Sequence, residues 1–102
     1  MYRARDYVEN ERWLADLDAA GDRLGLESAA RSRAVDLFLS TVPDEERSKQ
    51  ASMAAALYVG ALIEGDRRSQ GAVADAVGVS RLSVQQNWKD LIEEAGLRKP
   101  SW

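Results

Sequence analysis

The chain has 102 residues, a formal net charge of −3, no cysteine and no histidine. A chain of this length suits one compact domain with one hydrophobic core. The absence of Cys and His from the sequence excludes a zinc or iron–sulfur site, a disulfide framework, a catalytic thiol and histidine-based acid–base chemistry. We therefore predict a single domain over residues 1–102, with no cofactor and no metal site.

Neither a membrane span nor a secretory signal is visible in the sequence. The longest apolar run, residues 53–63, has eleven residues, whereas about 20 are needed to cross a bilayer. Residues 1–12 are rich in charge and lack the apolar core of a signal peptide. We expect a soluble, cytoplasmic protein with no membrane partner.

Apolar residues recur with the helical period along nearly the whole chain, and no stretch alternates as a half-buried strand does. The pattern predicts an all-α fold of five helices. Their expected bounds are Tyr7–Leu24, Ser28–Val42, Ser48–Glu64, Gln70–Val77 and Arg81–Ala95.

The ends of these helices are marked by particular residues. Gly25 is expected to end the first helix, and Pro43 to stop the second because proline disfavours helical backbone in the residue before it. Residues 44–46 are acidic and are expected to form a solvated connector. Gly65 is expected to stop the third helix, and Ser69 to cap the start of the fourth.

The third predicted helix is apolar nearly all round. A helix without a polar face belongs in the middle of a bundle, surrounded by the others. Its alanines and Gly60 would let a neighbouring helix approach closely. The aromatic residues Trp13, Tyr58 and Trp88 are expected to lie in the core and not to form a ligand cage.

The fourth and fifth predicted helices match a helix-turn-helix over about residues 69–95. Ala74 lies where the two helices must cross, so a small side chain is needed there. Gly78 falls in the turn, where a left-handed backbone suits glycine. Val79 is expected to fill the gap between the helices, and Ser80 to cap the second one.

The fifth predicted helix has two different faces. Its apolar face points to the core and consists of Val84, Trp88, Leu91, Ile92 and Ala95. The candidate base-reading residues on the outward face are Arg81, Leu82, Gln85 and Gln86. Glutamine suits adenine, arginine can reach either guanine or a phosphate, and leucine can pack against the thymine methyl group. The candidate contacts to the DNA backbone are Arg67, Arg68, Ser69, Ser80 and Lys89.

Local charge favours contact with DNA at this end of the chain. Residues 67–92 carry four cations and two acids, a net charge of +2 inside a chain of net charge −3. Three alternatives stay open: corners of this kind also occur as plain packing devices, outward polar residues are often merely solvated, and Arg67 and Arg68 can pair with Glu64 and Asp66.

The acids also suggest an environment. Seventeen acids face eleven Arg and only three Lys, and the acids are scattered along the chain. Such a surface suits a salt-rich cytoplasm, where screening removes self-repulsion. We therefore predict a halophilic source. Circular dichroism from low to molar KCl tests this, and unchanged folding at low salt would contradict it.

Residues 48–91 resemble the C-terminal cyclin-like repeat of transcription factor B, the archaeal and eukaryotic general initiation factor. Weaker similarity reaches back through residues 31–39, so that the resemblance covers about residues 13–97, most of the chain. The matching features are the alanine-rich helix with Tyr58, the step Arg67–Gln70, Val73 with Ala74, the turn Gly78–Ser80, and Val84 with Trp88–Leu91.

The resemblance implies a five-helix cyclin fold whose last two helices form a helix-turn-helix that reads the B recognition element beside a TATA box. It also implies two partners, double-stranded promoter DNA and the TATA-binding protein. The base-reading positions of the family correspond to Leu82 and Gln85 of this sequence. Family members commonly have Arg where Gln85 stands, so the family's DNA sequence preference is not carried over to this chain.

The sequence also departs from the family in three ways. The family's zinc ribbon, which recruits the polymerase, needs Cys or His ligands, and this chain has neither. One cyclin repeat is present in place of two, and the usual proline before the central helix is missing from residues 47–49. We expect a stand-alone, single-repeat relative that cannot perform the whole initiation role alone.

Two functions from different classes compete. The leading one is a DNA-binding protein of transcription initiation or regulation. The alternative is a cyclin-like protein-interaction adaptor, for example for the TATA-binding protein, that does not read DNA. An enzyme with a small-molecule substrate is not expected, because the sequence has no phosphate-binding loop, no metal-ligand spacing and no carboxylates paired in a cleft.

Overall fold

The computed structural model describes residues 10–41 and 46–94. Within these ranges the chain forms five helices and no strand. They are α1 (Glu11–Leu24), α2 (Ser28–Ser40), α3 (Glu46–Ile63), α4 (Gln70–Val77) and α5 (Arg81–Glu94). The prediction of an all-α, five-helix fold is therefore confirmed.

The start of α3 corrects one prediction. Glu46 is helical, whereas the sequence analysis placed it in the solvated connector. Its acidity was taken as a sign of a loop, but an acidic residue in the first turn is favoured by the helix dipole, so charge at this position is compatible with helix. The other two residues of that connector, the predicted start of the first helix, Pro43 and Ala95 lie outside the described residues.

The end of α2 also differs from the prediction, which extended it to Val42. The Ser40 hydroxyl donates to the carbonyl of Asp36 at 2.7 Å, and the Thr41 hydroxyl donates to the carbonyl of Leu37 at 2.8 Å. Thr41 itself has left the helical conformation, with φ at −131°. These hydroxyls satisfy carbonyls of the last turn, so the helix ends two residues before the expected position.

Helix α3 is the centre of the molecule. It contacts each of the other four helices, and every residue from Met53 to Ala61 is buried. This confirms the prediction that the helix without a polar face lies in the middle. Such a helix is stabilised by packing on all sides, because this removes its apolar surface from water.

The contact between α2 and α3 is made by backbone as well as side chains. A Cβ atom on Gly60 would lie only 2.9 Å from the carbonyl oxygen of Ala30 and 2.9 Å from the amide nitrogen of Ala34. The predicted close approach at Gly60 is therefore confirmed, and α2 is the helix that uses it.

The membrane prediction has one structural counterpart. In the described part of the chain, no helix combines the length and the apolar character that crossing a bilayer requires.

Candidate nucleic-acid interface

Three residues, 78–80, join α4 to α5, and the backbone of the turn is fixed locally. Gly78 has φ at +89°, in the left-handed region, as its place in the sequence predicted. The amides of Gly78 and Val79 both donate to the carbonyl of Ala74, at 2.8 Å and 3.0 Å. Val79 packs partly buried against the core, which fixes the point where the chain turns into α5.

The helices α4 and α5 and the turn between them form a corner, and a serine caps the start of each helix. The Ser69 hydroxyl oxygen accepts the amide of Ala72 at 3.0 Å, and the Ser80 hydroxyl oxygen accepts the amide of Ser83 at 3.1 Å. Both predicted N-caps are therefore confirmed. Ser69 and Ser80 are exposed. Both serines, which were predicted to contact the DNA backbone, therefore lie at the surface and also cap a helix.

One side of α5 is buried. The residues predicted for this apolar side are all buried where the structure describes them. These are Val84, Trp88, Leu91 and Ile92. The opposite side carries Arg81, Leu82, Gln85, Gln86 and Lys89, and each of them is exposed. Leu82, Gln85, Gln86 and Lys89 follow the spacing i, i+3, i+4 and i+7, which places them along one stripe of the helix. The structure thus brings the four candidate base-reading residues together on the first turns of α5.

Leu82 stands out within this stripe because it is 57% exposed. A large aliphatic side chain has nothing to gain from water. Its neighbours on the stripe, Gln85 and Gln86, offer paired donors and acceptors. The surface therefore combines one apolar contact point with groups that can form bidentate hydrogen bonds.

Lys89 lies at the far end of the stripe. Its Nζ atom is 5.5 Å from the centroid of the Trp88 ring, a distance at which an ammonium is attracted to an indole face. Within the described residues it has no ion-pair partner. The Lys89 ammonium is therefore exposed to solvent and is stabilised by the Trp88 ring.

The two adjacent arginines before α4 behave differently. Arg67 is exposed and makes no ion pair with a described residue. Arg68 is half-buried: its Nε donates to the carbonyl of Leu24 at 2.8 Å, and its Nη2 donates to the carbonyl of Gly25 at 3.1 Å. Most of the donors of Arg68 are thus directed at the protein.

Asp66 completes this connection between the α3–α4 loop and the α1–α2 turn. One carboxylate oxygen accepts Arg68 Nη1 at 2.8 Å, and the other accepts the backbone amide of Glu27 at 2.8 Å. The amide of Glu27 and then the guanidinium of Arg68 lower the pKa of Asp66 below its ordinary value. The alternative pairing of Arg68 with Asp66 is confirmed, whereas Glu64 pairs with Arg33 at 3.1 Å.

These pairings reduce the basic character of the corner. Because Arg68 is neutralised by Asp66, the exposed cations of residues 67–92 are Arg67, Arg81 and Lys89, and the same segment carries two exposed acids, Asp75 and Asp90. The surface is more weakly basic than the count along the sequence indicated.

Two further residues hold this corner, and the sequence analysis did not find them. Arg23 on α1 donates to the carbonyl of Ala76 at 2.8 Å, and Gln50 on α3 donates to the carbonyl of Val77 at 3.2 Å. They lie 53 and 27 residues from their partners. No local pattern marks such a pair, because Arg and Gln on a helix surface are ordinarily solvated.

In the described part of the chain, four helices pack around a buried central one, and the last two helices are joined by a three-residue turn, an arrangement that fits a cyclin-like all-α domain. The model of the family described as Transcription factor TFIIB repeat matches residues 15–94. The chain belongs to this family, and the resemblance found in the sequence is confirmed.

Similar proteins are transcription initiation factors of archaea. The chain is 33% identical over 82 residues to transcription initiation factor IIB of Pyrococcus abyssi, covering 78% of this chain and 27% of that protein. It is 30% identical over 87 residues to transcription initiation factor IIB 2 of Thermococcus kodakarensis (82% and 28%), and 31% identical over 77 residues to the factor of Archaeoglobus fulgidus (72% and 24%).

The chain therefore spans about a quarter of the length of these relatives. This agrees with the presence of one repeat. The relatives are transcription factors and not enzymes, as the sequence analysis expected of this chain.

Proposed function

We propose that this chain is a DNA-binding protein of transcription initiation whose helix α5 reads promoter DNA in the major groove. In this proposal α4 and α5 act as a helix-turn-helix, with the first turns of α5 against the base edges. The observation that carries the proposal is the exposed stripe on α5, which sets base-reading side chains opposite a fully packed apolar face.

Each of the four candidate base-reading residues has a matching chemistry in the major groove. Gln85 and Gln86 each offer a donor and an acceptor that fit adenine, and Arg81 offers the fork that fits guanine. Leu82, with its exposed aliphatic side chain, fits the methyl group of thymine. Covering Leu82 removes apolar surface from water, which contributes to affinity as well as to base preference.

Contacts to phosphates position the helix and carry no sequence information. We assign them to Lys89, at the end of the stripe, and to Arg67, an exposed cation before α4, together with the hydroxyl groups of Ser69 and Ser80. Arg68 enters the proposal differently. Because its donors are directed mainly at Leu24, Gly25 and Asp66, it holds in place the loop that presents Arg67.

The first experiment is selection of bound sequences from a random pool of DNA duplexes, followed by gel-shift titration of the selected duplex at several salt concentrations. With Arg67 and Lys89 as the cations that neutralise phosphates, a plot of log affinity against log salt concentration should have a slope of about −2. Arg81→Ala combined with Gln85→Ala should weaken binding to the selected duplex by at least about tenfold.

A matched control separates the stripe from general charge. Arg33→Ala removes one cation from α2, where Arg33 pairs with Glu64, and should leave affinity and slope as they are in the unaltered protein. If selection enriches no sequence, or if the double variant binds as well as the unaltered protein, the proposal fails.

A second function is favoured by the weak charge of the corner, where residues 67–92 carry three exposed cations and two exposed acids. The family resemblance implies the TATA-binding protein as a partner, and an adaptor for that protein would not need to read DNA. Capture of purified TATA-binding protein, with and without nuclease and with and without promoter DNA, separates the two. Capture that survives nuclease, without any enriched DNA sequence, would favour the adaptor.

A further inference from the structure

We infer that Arg23 and Gln50 are positioning residues for DNA reading: from outside the α4–α5 corner, they hold the end of α4 and thereby set how α5 is presented to the groove. This inference rests on the proposed function and assigns to it two residues that belong to neither helix of the corner.

The carbonyl groups at the end of α4 explain why these donors matter. The last carbonyls of a helix have no partner inside it. The carbonyl of Ala74 receives the amides of Gly78 and Val79, which leaves the carbonyls of Ala76 and Val77 to groups from elsewhere. The guanidinium of Arg23 reaches the first at 2.8 Å, and the side-chain amide of Gln50 reaches the second at 3.2 Å.

These two hydrogen bonds lie at the end of α4, directly before the turn that leads into α5. Val77 is the last residue of α4, and the turn of residues 78–80 leads directly into α5. A Cβ atom on Gly78 would lie 3.7 Å from the Nε2 atom of Gln50, so the side chain of Gln50 also lies against the turn itself. Two bonds from different helices thus fix the point from which α5 departs.

The two ends of α5 are held in different ways. Its second half is anchored in the core through Trp88, Leu91 and Ile92. Its first core anchor is Val84, which is fully buried, so Arg81 and Leu82 lie between this anchor and the turn of residues 78–80. Loosening the turn therefore displaces the start of the reading face, at Arg81 and Leu82, and leaves the core packing of α5 in place.

Arg23 holds a carbonyl and is not assigned to a phosphate. Its guanidinium lies in a cleft between α1, α3 and α4 that Trp13, Asp16 and Met53 also line. A positioning role and a phosphate contact differ in one measurable way. Removing a cation that neutralises a phosphate lowers the salt slope by about 1, whereas removing a positioning donor does not.

The test uses the full chain with Arg23→Met, Gln50→Met and the double variant, each of which keeps a long side chain and removes the donors. Affinity for the selected duplex is measured at three salt concentrations. If the correctly presented corner falls to about one tenth of the molecules, apparent affinity of the double variant falls about tenfold. The salt slope should stay unchanged, and amide exchange of Gly78 and Val79 should accelerate.

Two more variants keep the test decisive. Arg23→Lys retains the charge and a hydrogen-bond donor group and should recover part of the affinity. Gln50→Glu has the shape of the original side chain without its donor and should reproduce the loss, even if Gln50→Met disturbs folding in circular dichroism. Arg33→Met is the matched control. Arg33 pairs with Glu64 and not with the α4–α5 corner, so this variant should leave the affinity for the selected duplex and the salt slope unchanged.

The outcomes separate the inference from the proposed function. If the unaltered protein selects and binds DNA while the variants bind equally well, the inference is overturned and the proposed function stands. A slope that drops by about 1 for Arg23→Met would make Arg23 a phosphate contact and would also overturn it. If the unaltered protein binds no DNA, both fall together.

Discussion

Tyr58 and Trp88 meet edge to face, with ring centroids 5.6 Å apart and 63° between the ring planes. Both are nearly inaccessible to solvent, at 3% and 5% exposed. The contact joins the central helix α3 to α5, on the side of α5 opposite the exposed stripe. It is therefore the anchor against which the proposed reading face is presented.

The energy of this aromatic contact can be measured with a double-mutant cycle. Tyr58→Leu, Trp88→Leu and the double variant should show a coupling of about 0.5–1.5 kcal/mol in urea unfolding, the usual value for an edge-to-face pair beyond its buried area. The control pair is Trp13→Leu with Trp88→Leu, because the described part of the chain shows a ring contact between Trp88 and Tyr58 and none between Trp88 and Trp13. Their effects should add, and equal coupling in both cycles would contradict the account.

Gly60 should not tolerate a side chain. Alanine is favoured over glycine in a helix by about 1 kcal/mol, but the new Cβ would meet backbone atoms of Ala30 and Ala34 at 2.9 Å. Because backbone cannot step aside as a flexible side chain does, Gly60→Ala should lower the free energy of unfolding by about 1–3 kcal/mol.

Gly71 offers a matched comparison within α4. A Cβ atom there would have one neighbour, the Ser69 hydroxyl oxygen at 4.0 Å, so Gly71→Ala should raise the free energy of unfolding by up to about 1 kcal/mol. Chemical denaturation of both variants tests the pair. Two variants that shift in the same direction would mean that helix propensity, and not the α2–α3 contact, decides.

Asp66 should make stability depend on acidic pH. Its pKa in the folded protein is lowered from the ordinary value of 3.8, so the carboxylate stabilises the fold above that value. The stabilisation is lost as the pH falls below 3.8 and through the lower folded-state pKa. Asp66→Asn should therefore be less stable than the unaltered protein at pH 7, with the difference closing as the pH falls.

Thermal unfolding from pH 7 to pH 3 measures this difference, with Asp36→Asn, an exposed aspartate of α2, as the control for a surface amide. If the gap between Asp66→Asn and the unaltered protein stays constant over the whole range, the connection through Glu27 and Arg68 does not act as described.

The sequence was most informative where local chemistry decides the structure. The bounds of α4 follow from Ser69 and Gly78, because an N-cap and a left-handed glycine act within a few residues. The two faces of α5 follow from periodicity for the same reason. The start of α3 was misjudged because acidic residues suit both a loop and the first turn of a helix, so acidity alone does not distinguish the two.

The features that escaped prediction all join distant parts of the chain. Arg68 was a candidate phosphate contact because it is an arginine just before the start of α4, and its pairing with Asp66 was an open alternative, but its bonds to the carbonyls of Leu24 and Gly25 at the α1–α2 turn were not predicted. Arg23 and Gln50 could not be found at all. Which carbonyl a long polar side chain reaches depends on the tertiary arrangement of three helices, and the sequence pattern carries no record of it.

The central claim is that α5 reads base pairs through its exposed stripe, and a change of specificity tests it most directly. Selection from the same random duplex pool is repeated with Gln85→Arg, which replaces a side chain suited to adenine by one suited to guanine. The account predicts that the enriched sequence changes toward guanine at one base pair and is kept elsewhere. An enriched sequence identical to that of the unaltered protein would contradict it.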